Sequence, residues 1–547
     1  MKKVLLLLFL IAFVSRSEAQ VPVKTAAKPA TGSSLLSGIY CGPSGSSVIL
    51  QNNAKNDLTL TAKKEVGQVY SKNAFSFATP FPNGTKYKVT LKKVPAGQTC
   101  IIYSGSEGMM PQNENTLRIC SDYTYDLVSR SSDDKTTSTF YETSDPDVGG
   151  AAGEDGRYVV FVSSATFAGS AGKHRQIFWR DRNTGTTKMV SASASGEEGN
   201  GDSYYPAISG DGKTVVFESY STNLVEGDKN GYRDIFVWHS ATGKIQTVSV
   251  GEKGMAANAE SYEASVSGDG NLIAFTSAAG NISTVEKDVS NNNVFLRDMV
   301  LDTTIMISID PKTKKGGGGS KPSISFDGNR IAFYSHTGTL VPGDNNGLWD
   351  IFLWEKNIKS LKRISLTSDH KERNQGNESA NRVVAPSISG NGRYIAYATT
   401  ATNIVPDDNN NFQDVFLYDS NTDSTIMVSN ANDGKQGNSD SPIGQGEKIA
   451  ITFDGSWVAF STNTTNLGVP AANVVMHNTS TGQNKAVSTV VGSSVGRATL
   501  SQQGGYVVFG IGGKLDSRFQ SSGIFANFTG VGPCLGDTPN PHLDAKN

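Results

Sequence analysis

A short motif recurs seven times along the chain, and this repeat constrains the fold more than any other feature. In each copy an Asp, or the residue in its place, precedes a Gly, and an apolar triplet begins four residues after the Asp. The turns are Glu154-Asp155-Gly156, Gly210-Asp211-Gly212, Gly268-Asp269-Gly270, Phe326-Asp327-Gly328, Gly390-Asn391-Gly392, Phe453-Asp454-Gly455 and, in degraded form, Gln502-Gln503-Gly504. The triplets are Val159-Val160-Phe161, Val215-Val216-Phe217, Ile273-Ala274-Phe275, Ile331-Ala332-Phe333, Ile395-Ala396-Tyr397, Val458-Ala459-Phe460 and Val507-Val508-Phe509. Asp-Gly and Asn-Gly are typical of tight hairpins because both residues tolerate positive φ, so each copy predicts two strands joined by a turn.

Two further strands recur behind the turns. The first is an apolar pair, found at Ile177-Phe178, Ile235-Phe236, Val294-Phe295, Ile351-Phe352, Val415-Phe416, Val474-Val475 and Ile524-Phe525. The second ends in Val-Ser or Ile-Ser, and six copies follow their turns, at Val190-Ser191, Val248-Ser249, Ile307-Ser308, Ile364-Ser365, Val428-Ser429 and Val487-Ser488. The seventh copy, Leu127-Val128-Ser129, stands before the first turn, out of order with the rest of the repeat.

The displaced copy predicts how the repeats close on themselves. A ring of sheets needs its first and last members tied together, because open edge strands invite aggregation. If the strand at Leu127 completes the sheet formed by Leu500, Val507 and Ile524, the last sheet takes strands from both chain ends. The strand before each turn brings every repeat to four strands, and a spacing of roughly 50 to 65 residues accommodates them.

These patterns predict an all-β fold, a seven-bladed β-propeller closed by strands from both chain ends and preceded by a small β-sandwich domain. A β-sandwich alone, or an open array of hairpins, would not repeat one motif in register seven times. Helices are disfavoured because the apolar residues alternate or form short β-branched runs between Gly, Asn and Asp. We expect the propeller domain at 122–533.

The repeat resembles that of a known family. Its pattern, Pro-x-Ile-Ser-x-Asp-Gly-x-x-Val-Ala-Phe, is similar to the propeller repeat of TolB-type proteins, a WD-repeat-like unit that also forms noncatalytic propellers in some peptidases. The similarity extends from about residue 126 to about residue 528. TolB propellers have six blades whereas this sequence contains seven repeats, so the resemblance concerns the repeat unit.

The two ends of the chain lie outside the repeat. Residues 1–19 combine Lys2 and Lys3 with an apolar run and a small-residue ending, which is typical of a secretory signal peptide. That run is too short for a transmembrane helix, and no other segment is apolar enough to span a bilayer. We therefore expect a secreted, extracellular protein, periplasmic if the source is a Gram-negative bacterium, with a linker at 20–34 and a C-terminal tail at 534–547.

Residues 35–121 differ in character from the repeat, with strand-like segments at 47–51, 58–62, 74–78, 87–91 and 98–104. They resemble the small β-sandwich that precedes such propellers in some bacterial exported proteins. The matching segments are Val48-Ile49-Leu50-Gln51-Asn52-Asn53, Phe75-Ser76-Phe77-Ala78-Thr79 and Pro95-Ala96-Gly97-Gln98-Thr99-Cys100.

Four Cys in an exported chain indicate two disulfides. The resemblance implies that Cys100 pairs with Cys120, which leaves Cys41 with Cys534. An alternative joins Cys120 to Cys534, because the strand at Ile524 is expected to end near the start of the strand at Leu127. A bond to Cys534 would reinforce closure of the ring, by on the order of 4 kcal/mol in the chain-entropy model.

A polar loop is repeated in three of the seven units. The three copies are Asp228-Lys229-Asn230-Gly231-Tyr232-Arg233-Asp234, Asp344-Asn345-Asn346-Gly347-Leu348-Trp349-Asp350 and Asp408-Asn409-Asn410-Asn411-Phe412-Gln413-Asp414. Oxygen ligands at the first, third and seventh positions suit Ca²⁺, and the arrangement is similar to the calcium loops of integrin-type propellers, although two residues shorter. The candidate structural calcium ligands are therefore Asp228, Asn230, Asp234, Asp344, Asn346, Asp350, Asp408, Asn410 and Asp414. The competing interpretation is that the Asn forms the turn and the final Asp caps the next strand.

Charge and motifs leave two classes of function. The net charge of −2 gives no broad attraction to nucleic acid, and the chain has no Gly-x-Ser-x-Gly nucleophile motif, so we assign no catalytic residue and no cofactor beyond the candidate calcium. The first hypothesis is a noncatalytic binding or scaffold protein that contacts a protein or glycan, with Tyr232, Trp349 and Phe412 available for contact or for packing. The second is a secreted glycoside hydrolase or lyase that uses carboxylates of the central channel. The chain is also a candidate glycoprotein, because it contains Asn-x-Ser/Thr sequons at Asn83, Asn281, Asn377, Asn463, Asn478 and Asn527.

Overall fold

The computed structural model describes residues 33–63, 70–96, 98–110, 117–123, 125–132, 143–149, 155–251, 254–286, 292–374, 384–442, 448–469, 474–488, 494–512 and 523–529. These residues form 38 strands and contain no α-helix, so the prediction of an all-β chain is confirmed for them. No helix within these ranges is long and apolar enough to cross a membrane. The predicted signal peptide and C-terminal tail lie outside the described residues and stay predictions.

Two four-stranded sheets and one two-stranded pair make up the N-terminal region. Its strands are β1 (Ser33–Ser34), β2 (Ser37–Pro43), β3 (Ser47–Asn52), β4 (Asn56–Thr61), β5 (Tyr70–Ser76), β6 (Phe81–Pro82), β7 (Lys86–Lys93), β8 (Gln98–Ser104), β9 (Glu107–Met109) and β10 (Leu117–Tyr123). The sheet orders are β5-β2-β10-β8 and β4-β3-β7-β9, and β1 pairs with β6. One apolar core that includes Val48, Leu50 and Ile119 is shared by both sheets. Strand β1 begins inside the predicted linker, and β10 continues two residues past the predicted boundary at residue 121.

Residues 125–528 contain seven further four-stranded antiparallel sheets, numbered here in the order of their turns. Sheet 1 comprises β12 (Thr143–Gly149), β13 (Tyr158–Ser163), β14 (Gln176–Asp181) and β15 (Thr186–Met189). Sheet 2 comprises β16 (Ser203–Ile208), β17 (Thr214–Ser219), β18 (Asp234–His239) and β19 (Ile245–Thr247). Sheet 3 comprises β20 (Ser261–Val266), β21 (Leu272–Ser277), β22 (Asn293–Asp298) and β23 (Thr303–Met306). Sheet 4 comprises β24 (Ser320–Ile324), β25 (Arg330–Ser335), β26 (Asp350–Glu355) and β27 (Ser360–Arg363).

The remaining sheets follow the same plan. Sheet 5 comprises β28 (Ser387–Ile388), β29 (Tyr394–Thr399), β30 (Asp414–Asp419) and β31 (Ser424–Met427). Sheet 6 comprises β32 (Ala450–Ile451), β33 (Trp457–Ser461), β34 (Val474–Asn478) and β35 (Asn484–Ser488). Sheet 7 comprises β36 (Ser494–Leu500), β37 (Tyr506–Gly512), β38 (Gly523–Phe528) and, from the other end of the repeat, β11 (Tyr125–Leu127).

Contacts between the sheets run in a closed cycle. The first strands contact one another in the order β12, β16, β20, β24, β28, β32 and β36, and β36 contacts β12 again. Seven apolar clusters lie between successive sheets, and the cluster between sheets 7 and 1 includes Val159, Phe161 and Val508. Burial of these side chains supplies the main favourable term for holding adjacent sheets together.

The two ends of the repeat meet in sheet 7, where the sequence predicts. Leu127 pairs with Phe525 in antiparallel register, and β38 in turn pairs with β37. Buried charges reinforce the junction, because Arg182 Nε of sheet 1 donates to Asp126 Oδ2 at 3.0 Å. Asp155 of sheet 1 accepts hydrogen bonds from Ser501 Oγ at 2.7 Å and from the Gly505 amide at 3.0 Å in sheet 7.

The turns differ from the expectation in one respect. Only the Gly of each Asp-Gly or Asn-Gly pair has positive φ, as at Gly212 (73°). The Asp side chain closes the turn instead, since Asp211 Oδ1 accepts from Ser209 Oγ at 2.6 Å and from the Lys213 amide at 3.0 Å. Asp thus acts through a local side-chain hydrogen bond to the backbone, a role that Asp commonly has in turns.

Candidate functional site

The first strand of each sheet faces a central space, and irregular pairing in these strands sets where side chains point. Bulges interrupt the pairing of β12, β16, β20, β24 and β36. Residues at equivalent bulge positions have positive φ, including Tyr205 (46°), Glu263 (56°) and Lys321 (55°). A bulge bends a strand and redirects a side chain, which is common beside functional sites. The residue before the Pro position of the repeat lines the central space in six sheets, as Tyr205, Glu263, Lys321, Ala385, Lys448 and Arg497.

All seven sheets line one central cavity of about 430 Å³. Side chains beside the turns close one end of it: Phe326 and Phe453 pack edge to face with ring centroids 5.4 Å apart. Gln502 Nε2 of sheet 7 donates to the Gly210 carbonyl of sheet 2 at 2.7 Å. A Cβ on Gly268 would lie 2.3 Å from the Phe326 ring, so Gly at that position makes room for the aromatic side chain. The cavity therefore has a floor at the turn end.

Glu218 is the central polar residue of one side of the cavity. Its side chain is only 1% exposed, and it follows the apolar triplet of sheet 2. Arg233 Nη1 donates to Glu218 Oε1 at 2.9 Å, and the Glu263 amide donates to Glu218 Oε2 at 3.0 Å. Burial raises the pKa of the Glu218 carboxyl to about 7 despite the favourable Arg233 charge. Glu218 can therefore hold or release a proton near neutral pH.

Glu263 and Tyr262 of sheet 3 extend this surface. Glu263 Oε2 accepts from Thr276 Oγ1 at 3.3 Å and from the Lys321 amide at 3.1 Å, and burial raises its pKa. Burial also raises the pKa of Tyr262 to about 12. The Arg233 guanidinium lies 4.7 Å from the centre of the Tyr262 ring, within cation–π range. We call Glu218, Arg233, Tyr262 and Glu263 the glutamate wall.

Sheets 1, 6 and 7 contribute longer ion pairs to the cavity lining. Lys448 Nζ lies 3.4 Å from Asp147 Oδ1, which also accepts from Thr499 Oγ1 at 2.8 Å. Arg497 Nη1 lies 3.7 Å from Asp145 Oδ1. The Lys448 and Arg497 side chains are 27% and 23% exposed. We call Asp147, Lys448 and Arg497 the lysine wall.

Sequence reasoning did not identify these cavity residues, although a signal for them exists. Three wall residues, Glu263, Lys448 and Arg497, immediately precede the Pro position of the repeat, and the floor residues Phe326 and Phe453 precede the Asp of the turn. Glu218 stands where the other repeats have uncharged residues, namely Val162, Thr276, Tyr334, Ala398, Ser461 and Gly510. A position that is charged in a single repeat indicates a role beyond packing between sheets.

The predicted calcium loops each end at the first residue of a strand, at Asp234, Asp350 and Asp414. The side-chain amide of each Asn forms hydrogen bonds to other residues of the same loop. In sheet 5, Asn410 Oδ1 accepts from the Phe412 amide at 2.9 Å, and Asn410 Nδ2 donates to Asp414 Oδ2 at 2.8 Å. Equivalent bonds join Asn230 to Tyr232 and Asp234, and Asn346 to Leu348 and Asp350.

The carboxylates of these loops are buried to different degrees. Asp408 is 7% exposed, whereas Asp228 is only half-buried. Burial raises the pKa of Asp234, Asp344 and Asp414 to about 6 in each case. Within the described ranges, no group of three or more His, Cys, Asp or Glu side chains is arranged to hold a metal ion. Calcium at these loops stays a prediction.

The loop aromatic residues have different surroundings. Trp349 packs against the apolar cluster of sheets 4 and 5, with its ring centre 4.5 Å from that of His336. Tyr232 and Phe412 are exposed. Trp349 thus has the packing role, whereas the other two rings lie at the surface.

Three of the four Cys lie on adjacent strands of the N-terminal region. Cys120 on β10 is paired in register with Cys41 on β2, and Cys100 on β8 lies opposite Ser121. Cys41 and Cys120 are buried in the apolar cluster that reaches sheets 1 and 7. Cys534 lies outside the described residues. The pairing of Cys100 with Cys120 and that of Cys534 with Cys41 or Cys120 stay predictions.

No protein-family model and no curated protein sequence matches the chain. Among solved structures it is similar to TolB from Acinetobacter baumannii, with 15% identity, 64% of each chain covered and a TM-score of 0.34. It is also similar to an oligogalacturonate lyase from Vibrio parahaemolyticus, with 10% identity, 81% of this chain and 98% of that chain covered, and a TM-score of 0.42. The chain thus spans less than two thirds of that TolB. The strand pairing within the chain itself defines the seven sheets of the repeat region.

Proposed function

We propose that this chain is a secreted, noncatalytic binding protein that receives part of a protein or glycan ligand in its central cavity. In this proposal the seven sheets are the blades of a closed β-propeller, and the N-terminal sheets form a β-sandwich that acts as a spacer or second contact. The cycle of contacts between first strands supports a closed ring.

The cavity is the observation that carries the proposal. Its volume of about 430 Å³ falls within the range of small-molecule sites, and it would accommodate a peptide end or a short stretch of sugar. It combines a floor of Phe326 and Phe453 with polar walls, and concave sites with a few convergent polar groups are typical of ligand binding. Hydrogen bonds of 2.9 and 3.0 Å hold Glu218 of the glutamate wall in position before a ligand arrives.

The lysine wall favours a ligand that carries a carboxylate. Its ion pairs, at 3.4 and 3.7 Å, are longer than the usual 2.7–2.9 Å of a charged N–H···O hydrogen bond. Lys448 and Arg497 also keep part of their side chains exposed. A ligand carboxylate can therefore approach both cations without first breaking a short, buried bond.

A binding screen with paired probes tests the proposal. The mature protein is titrated calorimetrically with uronic-acid and neutral oligosaccharides of equal length, and with peptides that end in a carboxylate or an amide. We expect the acidic member of a pair to bind, and the double variant Lys448→Met, Arg497→Met to weaken that binding at least about tenfold, the loss of roughly 1.4 kcal/mol.

Lys371→Met is the matched control, because Lys371 is a highly exposed lysine outside the cavity lining. It should bind like the wild type. Equal binding of acidic and neutral probes, or equal losses in the control and the double variant, would contradict a carboxylate site in the cavity.

A glycoside hydrolase or lyase is the second candidate, because Glu218 titrates near neutral pH. A buried carboxyl with a pKa of about 7 suits a general acid or base. The same oligosaccharides should then yield new reducing or unsaturated ends, and Glu218→Gln should abolish their release. Product release that depends on Glu218 would replace the binding proposal.

A further inference from the structure

The polar loops of sheets 4 and 5 have the same internal hydrogen bonds. Asn346 Nδ2 donates to Asp350 Oδ2 at 3.0 Å, and Asn410 Nδ2 donates to Asp414 Oδ2 at 2.8 Å. The amide of the second loop residue donates to Glu372 Oε1 at 2.6 Å in sheet 4 and to Gln436 Oε1 at 3.2 Å in sheet 5. The two loops are therefore built alike, and differences between them lie in what surrounds the first and last Asp.

In sheet 4 a guanidinium group lies among the loop carboxylates. Arg363 Nη1 is 2.7 Å from Asp344 Oδ1, 3.4 Å from Asp350 Oδ2 and 3.2 Å from Glu372 Oε1. Arg363 Nη2 donates to the Gly343 carbonyl at 3.0 Å. Four oxygen atoms thus surround a positive charge that the chain itself provides.

In sheet 5 the corresponding residue is uncharged. Arg363 pairs with Phe352 on β26, and in the same register Met427 pairs with Phe416 on β30. Met427 therefore cannot neutralise the two acidic side chains of this loop.

The acidic side chains of sheet 5 are nevertheless buried. Asp408 is 7% exposed and Asp414 is 1% exposed. Asp408 Oδ1 is inaccessible to solvent and has no hydrogen-bond partner. Among the residues that the structure describes, no Lys or Arg forms an ion pair with either carboxylate. Burying carboxylates without a compensating charge is costly, so this pair calls for a cation.

We propose that the sheet 5 loop binds Ca²⁺ at the position that the Arg363 guanidinium takes in sheet 4. Asp408 Oδ1, Asp414 Oδ2 and Gln436 Oε1 are the protein ligands, and water completes the coordination. All three are oxygen atoms, which Ca²⁺ prefers, and Ca²⁺ accepts an irregular ligand set more readily than Mg²⁺ does. With only two carboxylates, we expect a Kd of about 10⁻⁴ to 10⁻³ M, the range of extracellular calcium modules.

The loop of sheet 2 also has an acidic side chain with no Arg at the register position of Arg363, but this side chain is less buried than Asp408. Thr247 takes the register position of Arg363, opposite Phe236, and Asp228 Oδ1 is buried without a hydrogen-bond partner. The Asp228 side chain as a whole is only half-buried. Asp228→Asn is therefore included in the test proteins, so that the sheet 5 site is measured alone.

The decisive variant is Met427→Arg, which places in sheet 5 the residue that sheet 4 already has. Chelator-treated, full-length mature Asp228→Asn protein is melted with and without about 10 mM CaCl₂, and its calcium binding is measured by calorimetry. We expect calcium to raise Tm by about 2 °C or more and to give a saturable heat. With Met427→Arg added, both responses should disappear, and the calcium-free Tm should not fall.

Asp408→Asn is the second variant, because it removes a proposed ligand with almost no change in volume. It should lose the calcium response whether or not Met427→Arg folds. Equal responses to calcium with and without Asp408→Asn, or no calcium heat in the Asp228→Asn protein, would overturn the proposal.

Discussion

The glutamate wall and the lysine wall line the same cavity, yet they hold their charges differently. Glu218 is buried and receives two hydrogen bonds of 2.9 and 3.0 Å, whereas Lys448 is partly exposed and lies 3.4 Å from Asp147. One wall is thus fixed in place, and the other keeps charged groups that solvent can reach. Packing between sheets alone does not require such a difference, which supports the proposal that the cavity is the binding site.

The largest expected effect comes from truncating the buried member of the glutamate wall. Glu218→Ala leaves the buried Glu263 amide without its partner and leaves Arg233 with only the partly exposed Glu260 as an ion-pair partner. We therefore expect a loss of about 3 kcal/mol in the free energy of unfolding. Urea denaturation followed by fluorescence measures it. A loss below about 1 kcal/mol, the usual size for an exposed ion pair, would show that the two walls do not differ.

The second-largest expected effect is a pH dependence of stability that comes from the glutamate wall. Burial raises the pKa of the Glu218 carboxyl to about 7, well above the ordinary value of 4.5 for a glutamate. Between these two values the folded state binds more protons than the unfolded state, so stability falls as pH rises, by up to about 3 kcal/mol from this residue. Glu218→Gln cannot titrate there. Unfolding free energies at several pH values should therefore fall less steeply in the variant, and parallel profiles would contradict the role assigned to Glu218.

The smallest effect on stability is expected at the lysine wall. Lys448→Ala removes a partly exposed ion pair of 3.4 Å, so the unfolding free energy should change by less than about 1 kcal/mol. The same urea titration provides the comparison with Glu218→Ala. A cost as large as that of Glu218→Ala would mean that Lys448 is a structural residue and not a group available to a ligand.

Most of the ring could be predicted from the sequence because the repeat encodes it locally. The Asp-Gly turn and the apolar triplet specify a hairpin, and the displaced strand at Leu127 specifies its pairing with the strand at Ile524. These inferences need only strand alternation and turn chemistry. The boundaries of the N-terminal region stay predictions, because short strands such as β1 carry little periodic signal.

The cavity could not be predicted because it depends on which residues converge from all seven sheets. Glu218 and Arg233 are fifteen residues apart and meet only when β17 and β18 pair. The hydrogen bonds of the loop Asn residues also could not be predicted from the sequence. Their oxygen atoms suit calcium by composition, but in the folded chain Asn410 uses its amide within its own loop. Arg363 likewise reaches Asp344 from another strand.

The most direct test of the central claim is to fill the cavity without altering its charges. Ala385 lines the cavity at the position where other sheets present large or charged side chains, so Ala385→Trp inserts bulk there. The tightest-binding acidic oligosaccharide or peptide from the screen is titrated into the wild type and the variant. We expect at least a tenfold weaker Kd for Ala385→Trp, roughly 1.4 kcal/mol, with an unchanged Tm. An unchanged Kd in a folded Ala385→Trp protein would contradict binding in the cavity.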